Sequence, residues 1–192
     1  MIEPYEVLID FLRKKGMQEE EHLKYVCTFF SLKKVKSKTV LVDYHQVADR
    51  YFFINSGSIR IFTINKEGLE TSRYFAFEGN FVTALPSFID QNPAEEYVQT
   101  LEKCEILSIA RTDFYHLVQT MPGFAKIYTE ILELGFITAQ KRIYGFQGFD
   151  ALEKVQWIIK SHPYLLLRVS NKLVASYLGI APATLSRIKA KL

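Results

Sequence analysis

The chain has 192 residues, of which 48% are hydrophobic and 14% aromatic, and this composition excludes a disordered tail. No stretch reaches the roughly 18 apolar residues of a membrane helix, and the acidic, amphipathic N-terminus lacks a signal-peptide pattern. We therefore expect a cytoplasmic protein without a membrane partner. Two distant cysteines without metal-ligand spacing, Cys27 and Cys104, predict reduced thiols.

The net charge of +3 is distributed unevenly along the chain. Residues 151–192 contain seven Lys or Arg and a single acid, Glu153, whereas the preceding residues carry a net negative charge. A basic C-terminal segment on an acidic body predicts binding of a phosphate backbone at one end of the chain.

Helical spacing of apolar residues comes first, over 3–30, with a break at Gly16. The period then changes to two between Leu32 and about Ile109, and turn signals separate the β-rich segments. These predicted strands lie in 38–42, 50–55, 58–65, 71–78 and 96–110. Their short, regular spacing predicts an antiparallel roll or sandwich rather than a parallel sheet.

A long helix is predicted in the region from Arg111 to Tyr144, with Pro122 near its start. Its apolar residues step by four, three and four, a spacing that suits a two-stranded contact with a second copy of the chain. The residues of this seam are Ile127, Ile131, Leu134 and Thr138. The alternative is that the same stripe packs on the sheet of its own chain.

Gly145 and Gly148 predict a break after the long helix. Asp150 is a suitable N-cap for a following helix over 151–162, which Pro163 brings to an end.

The final residues, 169–192, predict two short helices joined by a turn at Gly179. Val174 and Leu178 form the inner face of the first helix, and Leu185 and Ile188 continue the apolar stripe on the second. The remaining face of the second helix carries Thr184, Ser186, Arg187, Lys189 and Lys191. This layout is typical of a helix-turn-helix that reads the DNA major groove; the alternative is a helical hairpin with a solvated basic end.

An antiparallel roll, a long helix and a C-terminal helix-turn-helix together resemble the Crp/Fnr family of bacterial transcription regulators. The segment from Tyr51 to Ile61 resembles the family's strand–turn–strand signature, with Ser56-Gly57 in the turn. Gly79-Asn80-Phe81-Val82 resembles the start of the loop that cradles the ligand phosphate in members that bind cyclic nucleotides, and Gly179 with Arg187 matches the helix-turn-helix.

The resemblance implies an α+β protein in three parts. Residues 1–120 would form an N-terminal antiparallel β-roll (a double-stranded β-helix) that acts as a sensor. Residues 121–145 would form the dimerisation helix, and residues 146–192 the helix-turn-helix DNA-binding domain.

The effector loop departs from the pattern of cyclic-nucleotide binders. Thr83 and Ala84 replace the Gly-Glu pair of the family, and Glu95 and Glu96 stand where the phosphate-binding Arg is expected. A nearby carboxylate would repel a phosphodiester by about a kcal/mol or more. The candidate pocket residues are Gly79, Asn80, Thr83, Ala84, Glu95, Glu96 and Tyr97. We therefore expect an effector other than cyclic AMP.

Other cofactors and catalytic sites are not expected. Two cysteines are too few for an iron–sulfur cluster. The four histidines are scattered, with only His45 in the strand region, so neither a haem ligand set nor the metal site of a cupin-like enzyme is indicated. The sequence predicts no enzyme, no metal and no cofactor.

The second helix of the helix-turn-helix also differs from well-known members, since Pro182-Ala183 replaces an Arg-Glu pair that often reads bases. We assign Arg187 to guanine and Lys172, Lys189 and Lys191 to phosphates. The sequence stops at Leu192, so the family's trailing β-wing is expected to be absent.

The predicted function is that of a homodimeric, DNA-binding transcription regulator of the Crp/Fnr type. Its expected partners are double-stranded DNA, a second copy of the chain and an unidentified small effector. The alternative is a β-roll binding or scaffold module whose C-terminal helices contact protein rather than DNA.

Overall fold

A computed structural model describes residues 3–191, so residues 1, 2 and 192, at the ends of the predicted N- and C-terminal domains, lie outside the described part of the chain. A short 3₁₀ turn at Glu3–Tyr5 comes first. The strands are β1 Ser31–Val35, β2 Val40–Val42, β3 Arg50–Ser56, β4 Ile59–Ile64, β5 Glu70–Ala76, β6 Phe81–Val82, β7 Tyr97–Thr100 and β8 Cys104–Ala110.

Helices precede the strands, interrupt them once after β6, and follow them to the end of the described chain. They are α1 Glu6–Lys14, α2 Glu20–Cys27, α3 Leu85–Asp90, α4 Arg111–Thr120, α5 Pro122–Gly148, α6 Ala151–Ser161, α7 Leu165–Arg168, α8 Asn171–Leu178 and α9 Pro182–Lys189.

The strands form two four-stranded sheets, in the orders β1-β8-β3-β6 and β2-β7-β4-β5. The pairs β1·β8, β3·β8, β3·β6 and β2·β7 are antiparallel, and the β3·β8 register places Phe53 opposite Leu107. The predicted α+β class with an N-terminal antiparallel roll and a C-terminal helix-turn-helix is thus confirmed.

The chain divides into two compact units. Unit 1 comprises the residues up to Ile61 together with Ala76–Leu132, and unit 2 comprises Phe62–Phe75 together with the residues from Glu133 onward.

The core of unit 1 is aromatic. Phe53 and Phe81 pack with ring centroids 4.9 Å apart, and Tyr51 contacts Phe88 and Phe114 at 5.1 and 5.2 Å. Full burial of such a side chain contributes about 1.5–3 kcal/mol. The roll is therefore held by closely packed rings that the alternating strands direct inward.

The helices of unit 2 bury mainly aliphatic side chains. Their buried residues include Val155, Ile158, Leu165, Val174, Ala175, Leu178 and Leu185. The predicted N-cap of α6 is confirmed as a capping box, in which the Asp150 carboxylate accepts from the Glu153 N–H and the Glu153 carboxylate accepts from the Asp150 N–H, both at 2.9 Å.

Of the two glycines predicted to break the chain after the long helix, Gly148 ends α5, whereas Gly145 lies inside the helix and does not interrupt it. Gly145 is buried, and the Phe149 ring occupies the space beside it, 3.0 Å from where a Cβ would lie. The missing side chain thus admits a ring rather than ending the helix, and an interior glycine costs only about 1 kcal/mol.

Three short elements carry too little periodicity to be predicted as separate elements from the sequence. Four of the five residues of β1 are exposed, so the strand shows no alternation of buried and exposed side chains. Strand β6 has two residues and α7 has four, which is about one period of the strand and helix patterns and too short to show a repeat.

Candidate nucleic-acid interface and effector loop

The helix-turn-helix consists of α8 and α9 joined at Gly179. Gly179 has φ +65°, and its N–H and that of Ile180 both donate to the Ala175 carbonyl, which closes the end of α8. Pro182 stands in the first turn of α9, where no intrahelical donor is lost. Leu185, on the apolar side of α9, is fully buried. This burial fixes the orientation of α9 against the neighbouring helices.

The opposite side of this motif is polar and open. Ser186, Arg187 and Lys191 are exposed, as is Lys172 on α8, whereas Thr184 and Lys189 are half-buried. The structure thus places all six predicted DNA contacts in one helical unit, with four of their side chains accessible.

Lys189 has a partner that the sequence analysis did not identify. Its ammonium donates to Asn171 Oδ1 at 3.0 Å, so the start of α8 and the end of α9 are joined by a hydrogen bond. The two residues are eighteen positions apart, and no local pattern links them. Asn171 therefore limits the directions in which the Lys189 side chain extends.

The effector loop is built around β6 and α3. The Gly79 N–H donates to the Ile54 carbonyl at 2.9 Å, and the Asn80 carbonyl accepts from the Ile54 N–H at 3.0 Å. Thr83 is buried, and its hydroxyl donates to the Arg50 carbonyl at 2.8 Å. The polar groups at the start of the loop are thus used to close the loop onto β3.

The second half of the predicted pocket has acidic and aromatic side chains. Ala84 is buried before α3, Glu95 is exposed, Glu96 is buried, and Tyr97 stacks on Tyr44 with centroids 5.8 Å apart. Carboxylates in this part of the predicted pocket would oppose binding of a phosphate group. In the first turn of α3, Pro86 removes a further backbone donor that an anion would need.

A buried cation of the roll was not singled out from the sequence. Arg60, on β4, is 6% exposed, and its Nε and Nη2 donate to Gln99 Oε1 at 3.1 and 2.8 Å. The one sequence signal is a charged residue inside an otherwise apolar strand. Its partner on β7 is 39 positions away and has no counterpart in any local pattern.

The predicted dimer seam is divided along α5. Ile127 is only 2% exposed and belongs to the core of unit 1, so its predicted contact with a second copy is wrong. Ile131 is partly buried against the same core, as the alternative interpretation had it, and the Thr138 hydroxyl donates to the Leu134 carbonyl at 2.8 Å. The outer part of α5 carries five exposed large apolar residues, namely Leu134, Phe136, Ile137, Ile143 and Tyr144.

Within residues 3–191, no group of three or more His, Cys, Asp or Glu side chains is arranged to hold a metal ion. Burial raises the pKa of the Cys27 thiol to about 11 and that of Cys104 above 9.0, so both remain protonated and unreactive at neutral pH. None of the described helices is long and apolar enough to cross a bilayer.

The sequence and the fold both match known regulators. Residues 32–121 match the family described as "Cyclic nucleotide-binding domain". The cAMP-activated global transcriptional regulator CRP of Salmonella typhimurium is 24% identical over 105 residues, which are 55% of this chain and 50% of the relative. The chain thus spans about half the length of this curated relative.

Two solved structures share the fold over most of the chain. The c-di-GMP responsive global regulator CLP of Xanthomonas campestris has a TM-score of 0.70 at 19% identity and covers 90% of this chain and 91% of its own. FixK2 of Bradyrhizobium japonicum has a TM-score of 0.75 at 13% identity, with coverages of 85% and 84%. CRP is named a global transcriptional regulator and CLP a global regulator, which is the class of protein that the sequence predicts for this chain. Residues 32–121 are therefore similar to a cyclic nucleotide-binding domain, and the chain has the fold of the Crp/Fnr regulators.

Proposed function

We propose that the chain is a homodimeric transcription regulator that binds double-stranded DNA through α8 and α9. The observation that supports this most directly is the exposed polar face of the helix-turn-helix, with Arg187 at its centre, on a segment of seven cations and one acid. Such a face combines groups that pair with base edges and groups that neutralise phosphates.

The proposed contacts divide by chemistry. Arg187 reads a guanine through O6 and N7, and Thr184 and Ser186 contact bases or phosphates. Lys172, Lys189 and Lys191 neutralise phosphates, and Asn171 orients Lys189.

The experiment begins with selection of a duplex from random sequences, followed by titration at several salt concentrations. Arg187→Ala should weaken binding of the selected site by about 1–3 kcal/mol and relax its specificity, whereas Lys191→Ala should weaken all duplexes alike and reduce the salt slope by about one. Lys36→Ala, an exposed charge of unit 1, is the control and should change neither quantity. Binding that is absent, or that does not depend on salt, supports the alternative of a module whose helices contact protein.

The proposed dimer contact is the outer part of α5. Leu134 is 55% exposed, and Leu134, Ile137 and Tyr144 lie at spacings of three and seven on one face of the helix. Light scattering should give twice the chain mass of 22.3 kDa, and Leu134→Glu should reduce it towards one chain. A monomeric wild-type protein at micromolar concentration would overturn this part of the proposal.

We propose that cyclic AMP is not the effector of the roll. The Thr83 hydroxyl is occupied by the Arg50 carbonyl, and Glu95 and Glu96 supply negative charge where a phosphate needs positive charge. Calorimetric titration with cyclic AMP and cyclic GMP up to millimolar concentration should give no saturable heat. Saturable micromolar binding of either nucleotide would contradict the proposal.

A further inference from the structure

The outer half of the β4–β5 hairpin, Phe62–Phe75, belongs to unit 2 and is called the hairpin arm here. The arm packs on α8 through a polar pair in which Ser72 is buried and Ser176 half-buried. The Ser72 N–H donates to Ser176 Oγ at 3.2 Å, the two hydroxyl oxygens are 2.9 Å apart, and Ser72 has no exposed surface. Separating the pair is costly for Ser72, which is fully buried and would lose this partner, whereas the Ser176 hydroxyl also donates to the Leu173 carbonyl at 2.8 Å.

Two rings extend the same contact. Phe75 of the arm packs against Tyr177 of α8 with ring centroids 5.5 Å apart and an interplanar angle of 61°. Both side chains are buried. The arm thus covers the side of α8 that carries Ser176 and Tyr177.

Arg142 of α5 joins the arm to this helix. Its guanidinium lies 4.5 Å from the centroid of the Tyr177 ring and 5.0 Å from that of Phe146, so one cation contacts two aromatic faces. Its Nη1 donates to the backbone carbonyl of Arg73 in the arm. One side chain therefore contacts α5, α8 and the arm together.

None of these contacts uses the exposed face of the helix-turn-helix. Ser186, Arg187, Lys191 and Lys172 remain accessible while Ser176 and Tyr177 are covered. The arm therefore holds α8 from one side and leaves the other side free for a duplex.

We propose that Arg142 is a positioning residue for DNA reading: it clamps the hairpin arm onto α8, so that the arm and the helix-turn-helix move as one body. A displacement of β4 or β5 is then passed to α9 through Ser176 and Tyr177. The effect on DNA binding rests on the function proposed above, whereas the clamp itself does not.

Hydrogen exchange measured by mass spectrometry tests the clamp without DNA. Arg142→Met keeps a long side chain and removes the charge and its donors, and the amides of the arm should then exchange at least about tenfold faster. Arg142→Lys should restore part of the protection. Lys141→Met, the exposed neighbour, is the matched control and should leave exchange unchanged. Unchanged exchange of the arm in Arg142→Met would overturn the proposal.

DNA titration separates positioning from direct contact. Arg142→Met should weaken binding of the selected duplex by about five- to tenfold, the lower end of typical coupling between sites. The salt slope should stay that of the wild type, because Arg142 neutralises no phosphate in the proposed role. A slope reduced by about one would identify Arg142 as a phosphate contact and overturn the positioning role.

A reversible cross-link covers the case in which Arg142→Met does not fold. The double variant S72C/S176C places two thiols where the hydroxyl oxygens are 2.9 Å apart, and oxidation should lock the arm on α8, slow its exchange and preserve DNA affinity. The native Cys27 and Cys104 are buried and do not compete. Loss of DNA affinity on oxidation, regained with reductant, would overturn the proposal. A wild-type protein that binds no duplex refutes the proposed function, and the exchange result then decides the clamp alone.

Discussion

The roll and the helix-turn-helix each turn the chain at a glycine with positive φ, but the two glycines have different surroundings. Gly57, between β3 and β4, has φ +98°, and a Cβ there would lie 2.5 Å from Cys104 Sγ and 2.8 Å from the Lys103 carbonyl oxygen. Gly179 has φ +65°, and a Cβ there would have no neighbour within 4 Å. The turn of the roll is fixed by packing, whereas that of the helix-turn-helix depends on local backbone conformation alone.

The same contrast holds for the polar groups of the two regions. In the effector loop Thr83 and Ser87 donate to the backbone carbonyls of Arg50 and Asn92, so their hydroxyls serve the fold. On α9 the Arg187 and Ser186 side chains are exposed. The hydroxyls of the effector loop thus stabilise the roll, whereas these side chains of α9 are open to solvent.

Matched glycine substitutions should give the largest difference between the two regions. Gly57→Ala combines positive φ with overlap against backbone and sulfur and should lower the free energy of unfolding by about 3 kcal/mol or more. Gly179→Ala meets only the conformational penalty and should cost about 1–2 kcal/mol. Urea denaturation followed by circular dichroism measures both.

Asparagine at the same positions is the control, because Asn adopts positive φ more readily than Ala. Gly179→Asn should therefore approach the wild type, while Gly57→Asn should remain severely destabilised by the overlap. Equal losses for the two alanine variants would show that packing around Gly57 relaxes and that the contrast between the regions is wrong.

A smaller loss of stability is expected from a change at the start of α6, in unit 2. Asp150→Ala removes the capping box of α6 and should destabilise unit 2 by about 1 kcal/mol. Trp157, the single tryptophan of the chain, lies in α6 and reports this loss by its fluorescence during denaturation. Asp150→Asn, which keeps an acceptor, should lie near the wild type; a loss as large as that of alanine would mean that the charge, not the cap, stabilises the helix.

The sequence predicted the turns, caps and strands whose formation depends on a few neighbouring residues. The two strands between Tyr51 and Ile61, the cap at Asp150 and the turn at Gly179 all arise within a few residues, and each is found where it was predicted. Strand β1 escaped notice because tertiary pairing with β8 forms it although most of its side chains are exposed. A glycine at 145 predicted a helix end, but a ring from residue 149 fills its place.

The site was predictable to the level of a helix face and no further. Spacing placed Thr184, Ser186 and Arg187 on α9. The hydrogen bond of Lys189 to Asn171 spans 18 positions, and that of Arg142 to the Arg73 carbonyl spans 69. Such contacts follow from how elements pack, and a single sequence holds no periodic trace of them. The split of the α5 seam has the same origin, since burial of Ile127 depends on the core of unit 1.

The smallest predicted effect is a pH dependence that arises in unit 2. Partial desolvation lowers the pKa of His162 below its ordinary value of 6.5, although the residue as a whole is exposed. The folded state then binds fewer protons than the unfolded state near pH 6. Stability is retained above pH 6.5 and falls as the pH decreases from 6.5 through the lower folded-state pKa.

The ring centroids of His162 and Trp157 are 5.8 Å apart, so protonation of His162 can be followed by its own NMR signal and by Trp157 fluorescence. The imidazole proton resonance of His162 should titrate with a midpoint below 6.5, and His162→Gln should remove most of the acid sensitivity of the Trp157 unfolding signal. His22→Gln, which changes an exposed histidine of unit 1, should leave that signal unaltered. A His162 midpoint above 6.5 would mean that the folded state stabilises the imidazolium, and acid would then strengthen unit 2 instead of weakening it.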